Sequence, residues 1–182
     1  EGITEKHLIP YQYPTNEELA RTGTTGLFLG HYLPWDGLAN VLLSQAHGFE
    51  VYPTSLETSF LNYENLDNLQ HGIHDYFKYI KFGFSRATDH VCMQVRRGRI
   101  TREEACEIIK KHDGKYPSSY LGVPLKEILD NIDMTEEEFV KICDQFTNKK
   151  IFKTDARGNL VKDKDGNLIK LYHPENDLKN AA

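Results

Sequence analysis

The stretch Lys81-Phe-Gly-Phe-Ser-Arg-Ala-Thr-Asp-His-Val-Cys-Met-Gln-Val-Arg-Arg-Gly-Arg-Ile-Thr-Arg102 decides the helical character of the fold. Its pattern predicts a helix from about Ser85 to Arg97 that ends at Gly98. Thr101-Arg-Glu-Glu104 then has the pattern of a capping box, in which Thr and Glu side chains satisfy the free backbone N–H groups at a helix start. The stretch therefore predicts one complete helix and the start of the next.

Charged and polar residues lie along one side of the first predicted helix. At about 100° per residue, Arg86, His90, Met93 and Arg97 fall within roughly 40° of one line, and Asp89 lies beside them. Such a stripe could offer charge-assisted hydrogen bonds to an anionic ligand. Spacing alone favours the other interpretation, a solvated helix face on which Arg86 pairs with its neighbours Asp89 and His90. Both interpretations stay open at this point.

The signals on either side of this stretch are also helical. Apolar residues at helical spacing predict a long helix over Tyr63–Lys81. Downstream, the first capping box starts a helix that ends at Gly114, and Pro124 opens a short one. A second capping box, Thr135-Glu-Glu-Glu138, starts another. Residues 49–150 are therefore predicted to form a helical domain.

The two ends of the chain differ from this middle part. Gly26-Leu-Phe-Leu-Gly-His-Tyr32 reads as a short apolar strand, and Pro34-Trp-Asp36 opens an amphipathic helix that Gly48 ends. Residues 1–48 are thus predicted to be an edge of an α/β domain, and residues 151–182 a β-hairpin or small meander with a tail. The predicted fold class is mainly α: a helical bundle with one N-terminal strand-loop-helix unit from an α/β sheet and a C-terminal β-hairpin.

Composition excludes some classes of function. The 182 residues carry a net charge of -5 and a pI near 5.9, so we expect no general attraction to nucleic acid or to an anionic membrane. The sequence has no apolar run of about 18 residues and no signal-peptide pattern, which predicts a cytoplasmic protein. Cys92, Cys106 and Cys143 lie among apolar residues on predicted helices and are expected to be buried and reduced. An odd count without a Cys-x-x-Cys pair argues against disulfides and structural zinc.

A second candidate site follows the predicted N-terminal strand. His31, Tyr32, Trp35 and Asp36 lie where a strand would give way to a helix, and α/β proteins bind ligands at that end of a sheet. An aromatic ring beside a carboxylate suits stacking on a sugar or base and accepting a hydroxyl hydrogen bond. The alternative, Trp35 as a core anchor and Asp36 as a helix N-cap, is equally open.

Metal and phosphate motifs are weak in this sequence. His71 and His74 are three residues apart and Asp75 follows, but no third ligand has suitable spacing, so a polar helix face is favoured and no metal site is predicted. Gly23-Thr-Thr-Gly26 precedes the predicted strand instead of following one, which favours a turn over a phosphate loop.

An ordered set of motifs resembles the N-acetyl sugar amidotransferases, enzymes of bacterial surface-polysaccharide and pseudaminic-type sugar synthesis. The resemblance runs to about Phe152 and covers only the C-terminal half of that family. The motifs are Gly30-His-Tyr-Leu-Pro-Trp-Asp36, Asn62-Tyr-Glu-Asn-Leu-Asp67, His74-Asp-Tyr-Phe-Lys-Tyr-Ile-Lys-Phe-Gly-Phe-Ser-Arg-Ala-Thr-Asp-His90, Arg97-Gly-Arg-Ile-Thr-Arg-Glu-Glu104 and Tyr120-Leu-Gly-Val-Pro124.

The resemblance implies a reaction. ATP activates the carbonyl oxygen of an N-acetyl group on a nucleotide-linked sugar, and ammonia from a glutaminase partner with a cyclase-like companion then gives an acetamidino group. In that family ATP and magnesium are bound mainly by an N-terminal ATP-pyrophosphatase domain with a Ser-Gly-Gly-x-Asp-Ser loop, which this sequence lacks. Residues 1–48 would be the C-terminal edge of that domain, and this chain alone is expected to be inactive.

The resemblance also suggests roles for individual residues. Asp89 and His90 are the candidates for orienting the sugar or assisting proton transfer. The candidates for substrate binding are Lys81, Arg86, Arg97, Arg99, Arg102, His31, Tyr32, Trp35 and Asp36. An alternative function is a non-catalytic helical module that docks on a partner subunit through its arginine stripe.

Overall fold

The computed structural model describes residues 2–172, and these are mainly helical, as predicted. The chain divides into two compact units, Glu1–Ser44 and Gln45–Ala182; the predicted domain limits near residues 48 and 150 stay predictions. The helices are α1 Glu5–Leu8, α2 Asn16–Thr22, α3 Gly37–Ala46, α4 His71–Phe82, α5 Arg86–Arg96, α6 Arg102–His112, α7 Leu125–Asp130 and α8 Glu136–Phe146. Among residues 2–172, no helix has both the length and the apolar character needed to cross a lipid bilayer.

The strand predicted over Gly26–Tyr32 is wrong. Leu29–His31 forms a single 3-10 turn, closed by bonds from the His31 N–H to the Phe28 carbonyl and from the Tyr32 N–H to the Leu29 carbonyl, both 3.0 Å. No β-bridge within the described residues involves this run. Without a neighbouring strand, the backbone N–H and C=O groups of this apolar run have no inter-strand partners. Some of them therefore bond to one another within the run.

Helix α3 begins where the sequence predicted. The Asp36 carboxylate accepts a hydrogen bond of 3.0 Å from the Leu38 N–H, and Gly48 follows the helix with a φ of 92°. Asp36 is therefore the N-terminal cap of α3.

Helix α4 begins at His71, and the predicted start near Tyr63 is wrong. Asn65 has a left-handed backbone with a φ of 57°, and the Asn68 side chain accepts a 2.8 Å bond from the Gln70 N–H. Asparagine side chains that bond to nearby backbone groups compete with helix formation. The run before α4 is therefore irregular, although Leu66 and Leu69 still pack against buried residues.

The helices after α4 confirm the predicted start and stop signals. Gly98 follows α5 in the left-handed conformation. Thr101 and Thr135 each form a complete capping box, with Glu104 and Glu138 respectively. These signals depend on neighbours three residues away, which explains why the sequence was enough to find them.

The main core of the second unit lies between α4, α7 and α8. Its fully buried centre includes Ile80 on α4, Leu125 and Leu129 on α7, and Phe152 after α8. The rings of Tyr79 and Phe152 lie 5.3 Å apart. The segment after α8 is therefore part of the helical core.

A short hairpin connects α6 to α7. Its strands, β1 Ser119–Tyr120 and β2 Val123–Pro124, are antiparallel. The turn residues Leu121 and Gly122 have φ angles of 50° and 76°. Two left-handed residues in succession are the geometry that two-residue hairpins prefer. The turn directs the Leu121 and Gly122 N–H groups to the same carboxylate, that of Glu57.

The predicted C-terminal hairpin is present as single β-bridges, Phe152 with Lys170, Thr154 with Leu160 and Lys162 with Leu168. They close around an eight-residue repeat, Asp155-Ala-Arg-Gly-Asn-Leu-Val-Lys162 and Asp163-Lys-Asp-Gly-Asn-Leu-Ile-Lys170. Each leading Asp accepts bonds from backbone N–H groups of its own turn, and these bonds lower the pKa of both carboxyls. The rest of the predicted tail, residues 173–182, lies outside the described residues.

Candidate functional site

An ion pair between α4 and α5 forms the centre of a buried polar network. Asp75 on α4 is 1% exposed. The Arg86 Nε donates to Asp75 Oδ2 and the Nη2 donates to Oδ1, both at 2.8 Å. The Thr58 hydroxyl donates to the same Oδ2 at 2.8 Å. This bidentate salt bridge matches the planar guanidinium to the carboxylate, and it fixes the start of α5 against α4.

The Asp75 carboxyl is held in its ionised form. Burial raises the pKa of Asp75, but the hydrogen bonds and charge of Arg86, with further bonds from His74 and Thr58, outweigh it and lower the pKa below its ordinary value. Burial likewise lowers the pKa of Arg86, and Asp75 more than compensates. The pair is therefore charged at neutral pH, and each member depends on the other.

The turn between α4 and α5 is fixed by further bonds. The Ser85 hydroxyl donates to the Asp75 backbone carbonyl at 2.8 Å, and the Ser85 N–H donates to the Asp113 carboxylate at 2.8 Å. The Thr88 hydroxyl also donates to Asp113. An acidic group at this position satisfies free N–H groups at the start of α5.

A second chain of contacts runs through His90 on α5. The buried His90 ring has its Nδ1 3.1 Å from the Ser59 hydroxyl and its Nε2 2.9 Å from Glu64 Oε2. The Ser59 oxygen also accepts a 3.1 Å bond from the Leu61 N–H. The His90 Nε2 is placed to donate to Glu64, and the Ser59 hydroxyl, which can donate or accept, lies within hydrogen-bond distance of Nδ1.

Glu64 is the member of this chain that reaches the surface. Its side chain is 35% exposed. The hydrogen bond from His90 lowers the pKa of Glu64, burial opposes this, and the charges of His90 and Arg86 add to the lowering. The Ser59–His90–Glu64 chain therefore presents an ionised, oriented carboxylate at the surface.

The face of α5 that carries His90 is turned inward. The buried residues of α5 are Ala87, His90, Val91 and Gln94. Asp89 is exposed and forms an ion pair with Lys78 on α4. The prediction that Cys92 is buried is wrong, because it lies on the exposed side, whereas Cys106 is half-buried and Cys143 is buried. Polar partners from other segments make the inward orientation of His90 possible.

The remaining predicted basic residues occupy two places. Arg97 follows the last turn of α5, Arg99 donates to the Gln94 side chain at 3.2 Å, and Arg102 is the first residue of α6. With Arg96 they form what we call the arginine corner. Lys81 lies elsewhere, with its ammonium group 4.8 Å from the centre of the Phe146 ring, a cation–π contact.

The four candidate residues of the first unit lie close together in sequence and on its surface. The rings of His31 and Tyr32 meet edge to face with 5.0 Å between centres. Trp35 is 71% exposed, which does not support a core anchor, and Asp36 caps α3. Their predicted role in substrate binding stays a prediction.

The two histidines of α4 lie beside carboxylates. Among residues 2–172 no group of three or more His, Cys, Asp or Glu side chains is arranged to hold a metal ion. The His71 Nε2 lies 3.7 Å from Asp67 Oδ1, and the His74 Nδ1 lies 3.1 Å from Asp75 Oδ1.

Sequence reasoning missed the residues that hold the network together. Glu64 lies inside the quoted motif Asn62-Tyr-Glu-Asn-Leu-Asp67, so a signal for it was present. Asp75 also had a signal, because it is a carboxylate on the same helix face as the apolar residues of α4. Thr58 and Ser59 carried none, since their role depends on contacts far away in sequence.

Fold and site together define a helical domain that presents an oriented carboxylate beside the middle of α5 and an arginine corner at its C-terminal end. A family model described as "LPS biosynthesis protein WbpG-like, C-terminal domain" matches residues 54–164, more than half of the chain. The chain belongs to this family. A search of curated proteins finds no significant match.

The family match has two consequences. It confirms the resemblance to the C-terminal half of a WbpG-type sugar amidotransferase-like protein, and it indicates a role in lipopolysaccharide biosynthesis. The matched residues include the whole buried polar network and the arginine corner. The site therefore lies within the part of the chain that defines the family.

Proposed function

We propose that this chain is the substrate-binding part of an ATP-dependent amidotransferase of lipopolysaccharide synthesis. Its substrate would be a nucleotide-linked N-acetyl sugar, whose N-acetyl group becomes an acetamidino group. Ammonia would come from a glutaminase partner with a cyclase-like companion. ATP and magnesium would be bound by residues other than the described ones. The family match and the ordered motifs support this proposal.

The observation that carries the proposal is the carboxylate of Glu64, held by the buried His90. An ionised carboxylate accepts hydrogen bonds from sugar hydroxyls, and it gains precision when a buried partner fixes its orientation. Arg97 follows His90 by seven residues, which is about 10 Å along the helix axis. A nucleotide sugar carries hydroxyls at one end and phosphates beside them, and arginine is well suited to phosphate.

The proposal gives different roles to the residues of the stripe. Glu64 contacts the sugar, and His90 acts through Glu64 as a positioning residue. Arg97, Arg99 and Arg102 supply positive charge for the phosphates. Arg86 donates from Nε and Nη2 to Asp75. It therefore contributes positive electrostatic potential near the site and holds α5 in position. Asp89 would serve the sugar only if its ion pair with Lys78 opens.

A calorimetric titration with UDP-N-acetylglucosamine as the probe tests the role of Glu64. We expect Glu64→Gln to weaken binding about tenfold, because an amide oxygen is a weaker acceptor than a carboxylate and the second carboxylate oxygen is replaced by an NH2 donor; tenfold corresponds to about 1.4 kcal/mol. Glu127→Gln, an exposed glutamate on α7, is the matched control and should bind like the parent. Equal affinity of the parent and Glu64→Gln would remove Glu64 from the site.

A further inference from the structure

A polar pocket lies on the second unit between the C-terminal end of α6, the β1–β2 turn and the loop before the buried polar network. Its volume is about 400 Å³, which is within the range of small-molecule sites. The side chains that line it include Tyr52, Thr54, Ser55, Glu57, Lys111 and His112. None of these residues has a role in the function proposed above.

The acidic wall of the pocket is rigid. The Glu57 carboxylate accepts bonds from the Ser119 hydroxyl at 3.1 Å, the Leu121 N–H at 3.2 Å and the Gly122 N–H at 3.3 Å. A carboxylate has about four acceptor positions, so these three bonds orient it without using its full capacity. Glu57 can therefore accept a further hydrogen bond from a ligand.

The backbone at Tyr52, another part of the lining, is also held in place. The Tyr52 N–H donates to the Asn62 carbonyl, and the Asn62 side-chain amide donates to the Tyr52 carbonyl, both at 2.8 Å. Gly122 keeps the space beside the Tyr52 ring open, because a Cβ at Gly122 would lie 3.4 Å from the Tyr52 hydroxyl oxygen. The Glu57 carboxylate and the Tyr52 backbone are thus held in place in the absence of a ligand.

The chemistry of the lining narrows the class of ligand. Glu57 disfavours an anion, and Lys111 is the one Lys or Arg among the described residues of the lining. Hydroxyls of Tyr52, Thr54 and Ser55 disfavour an apolar ligand, because its entry would leave them without partners. A metal ion is also disfavoured, since Glu57 and His112 are two ligands where three or four are usual.

We propose that this pocket binds a neutral, hydroxyl-rich ring such as a monosaccharide. Each sugar hydroxyl both donates and accepts a hydrogen bond, which matches a lining that mixes a carboxylate, an ammonium group and hydroxyls. The Tyr52 ring adds an aromatic surface for the C–H side of the sugar. This inference does not depend on the nucleotide-sugar proposal, because no residue is shared between the two sites.

A two-dimensional NMR titration with free N-acetylglucosamine tests the pocket. We expect amide shifts to concentrate at Tyr52–Glu57, Lys111 and Gly122, saturating by about 50 mM, as for a site with a dissociation constant in the millimolar range. Ser55→Trp places a large ring at the exposed mouth and should abolish these shifts. Glu103→Trp, exposed at the other end of α6, should keep them.

The outcomes separate this proposal from the previous one. If Ser55→Trp keeps the shifts, if they appear instead around Glu64, or if no amide shifts up to about 50 mM, the pocket proposal is overturned. Glu64→Gln should leave free-sugar binding at the pocket unchanged, and Ser55→Trp should leave binding of UDP-N-acetylglucosamine unchanged. Failure of either site is therefore visible without the other.

Discussion

Asp75→Asn is expected to lower the free energy of unfolding by about 3 kcal/mol. The substitution keeps the shape of the side chain but removes the charge that pairs with Arg86, whose own side chain is only 20% exposed. The Arg86 guanidinium would then remain charged and largely buried without its anionic partner. The Thr58 hydroxyl would donate to an amide, which is a weaker acceptor than the carboxylate. Urea denaturation followed by circular dichroism measures the change.

Asp130→Asn is the matched control for this experiment. Asp130 pairs with Lys126 at 2.7 Å on the exposed surface of α7, and exposed pairs of this kind contribute about 0.5 kcal/mol. If Asp75→Asn destabilises the protein no more than Asp130→Asn, the buried pair is not the link between α4 and α5 that the contacts indicate.

The same pair predicts how stability depends on pH. Because the pKa of Asp75 is lower in the folded protein than its ordinary value of 3.8, the contribution of the ionised carboxylate is complete above about pH 4. It is lost as pH falls through the folded-state pKa. The stability difference between the parent and Asp75→Asn should therefore shrink below about pH 4, since the other carboxyls titrate in both proteins.

Phe152→Ala is expected to cost about 3–5 kcal/mol of unfolding free energy. Phe152 is 0% exposed and lies against Tyr79 at the centre of the main core. Removing its ring leaves a cavity that α4, α7 and α8 border together. The measurement is again urea denaturation. The slope of unfolding free energy against urea concentration is compared between the parent and the variant, because a changed slope signals loss of two-state behaviour.

Phe82→Ala controls for the loss of a phenylalanine as such. Phe82 ends α4 and is 60% exposed, so its replacement should change stability by about 1 kcal/mol or less. Equal effects at Phe82 and Phe152 would contradict the conclusion that the segment after α8 belongs to the helical core.

Local signals account for the parts of the fold that the sequence predicted correctly. The capping boxes at Thr101 and Thr135 and the left-handed Gly98 are set by residues within one turn of helix, so they are readable without a structure. The eight-residue repeat after Phe152 was equally readable, and it predicts paired turns more sharply than alternation does.

Contacts between distant segments account for the parts that the sequence did not predict. His90 faces inward because Ser59 and Glu64, more than 25 residues earlier, supply its partners. Because this network turns the His90 face of α5 inward, Cys92 lies on the exposed face instead of being buried as expected. Helical periodicity identifies which residues share a face, but it does not say which face is buried when polar groups can satisfy one another.

An NMR titration with UDP-N-acetylglucosamine, followed by amide shifts, tests whether Glu64 and α5 bind the sugar nucleotide. We expect the largest shifts at Glu64, at His90 and in the arginine corner, and Glu64→Gln should reduce them at equal probe concentration. Shifts confined to residues outside these segments, or shifts that Glu64→Gln leaves unchanged, would contradict the claim that Glu64 and α5 form the binding site for the sugar nucleotide.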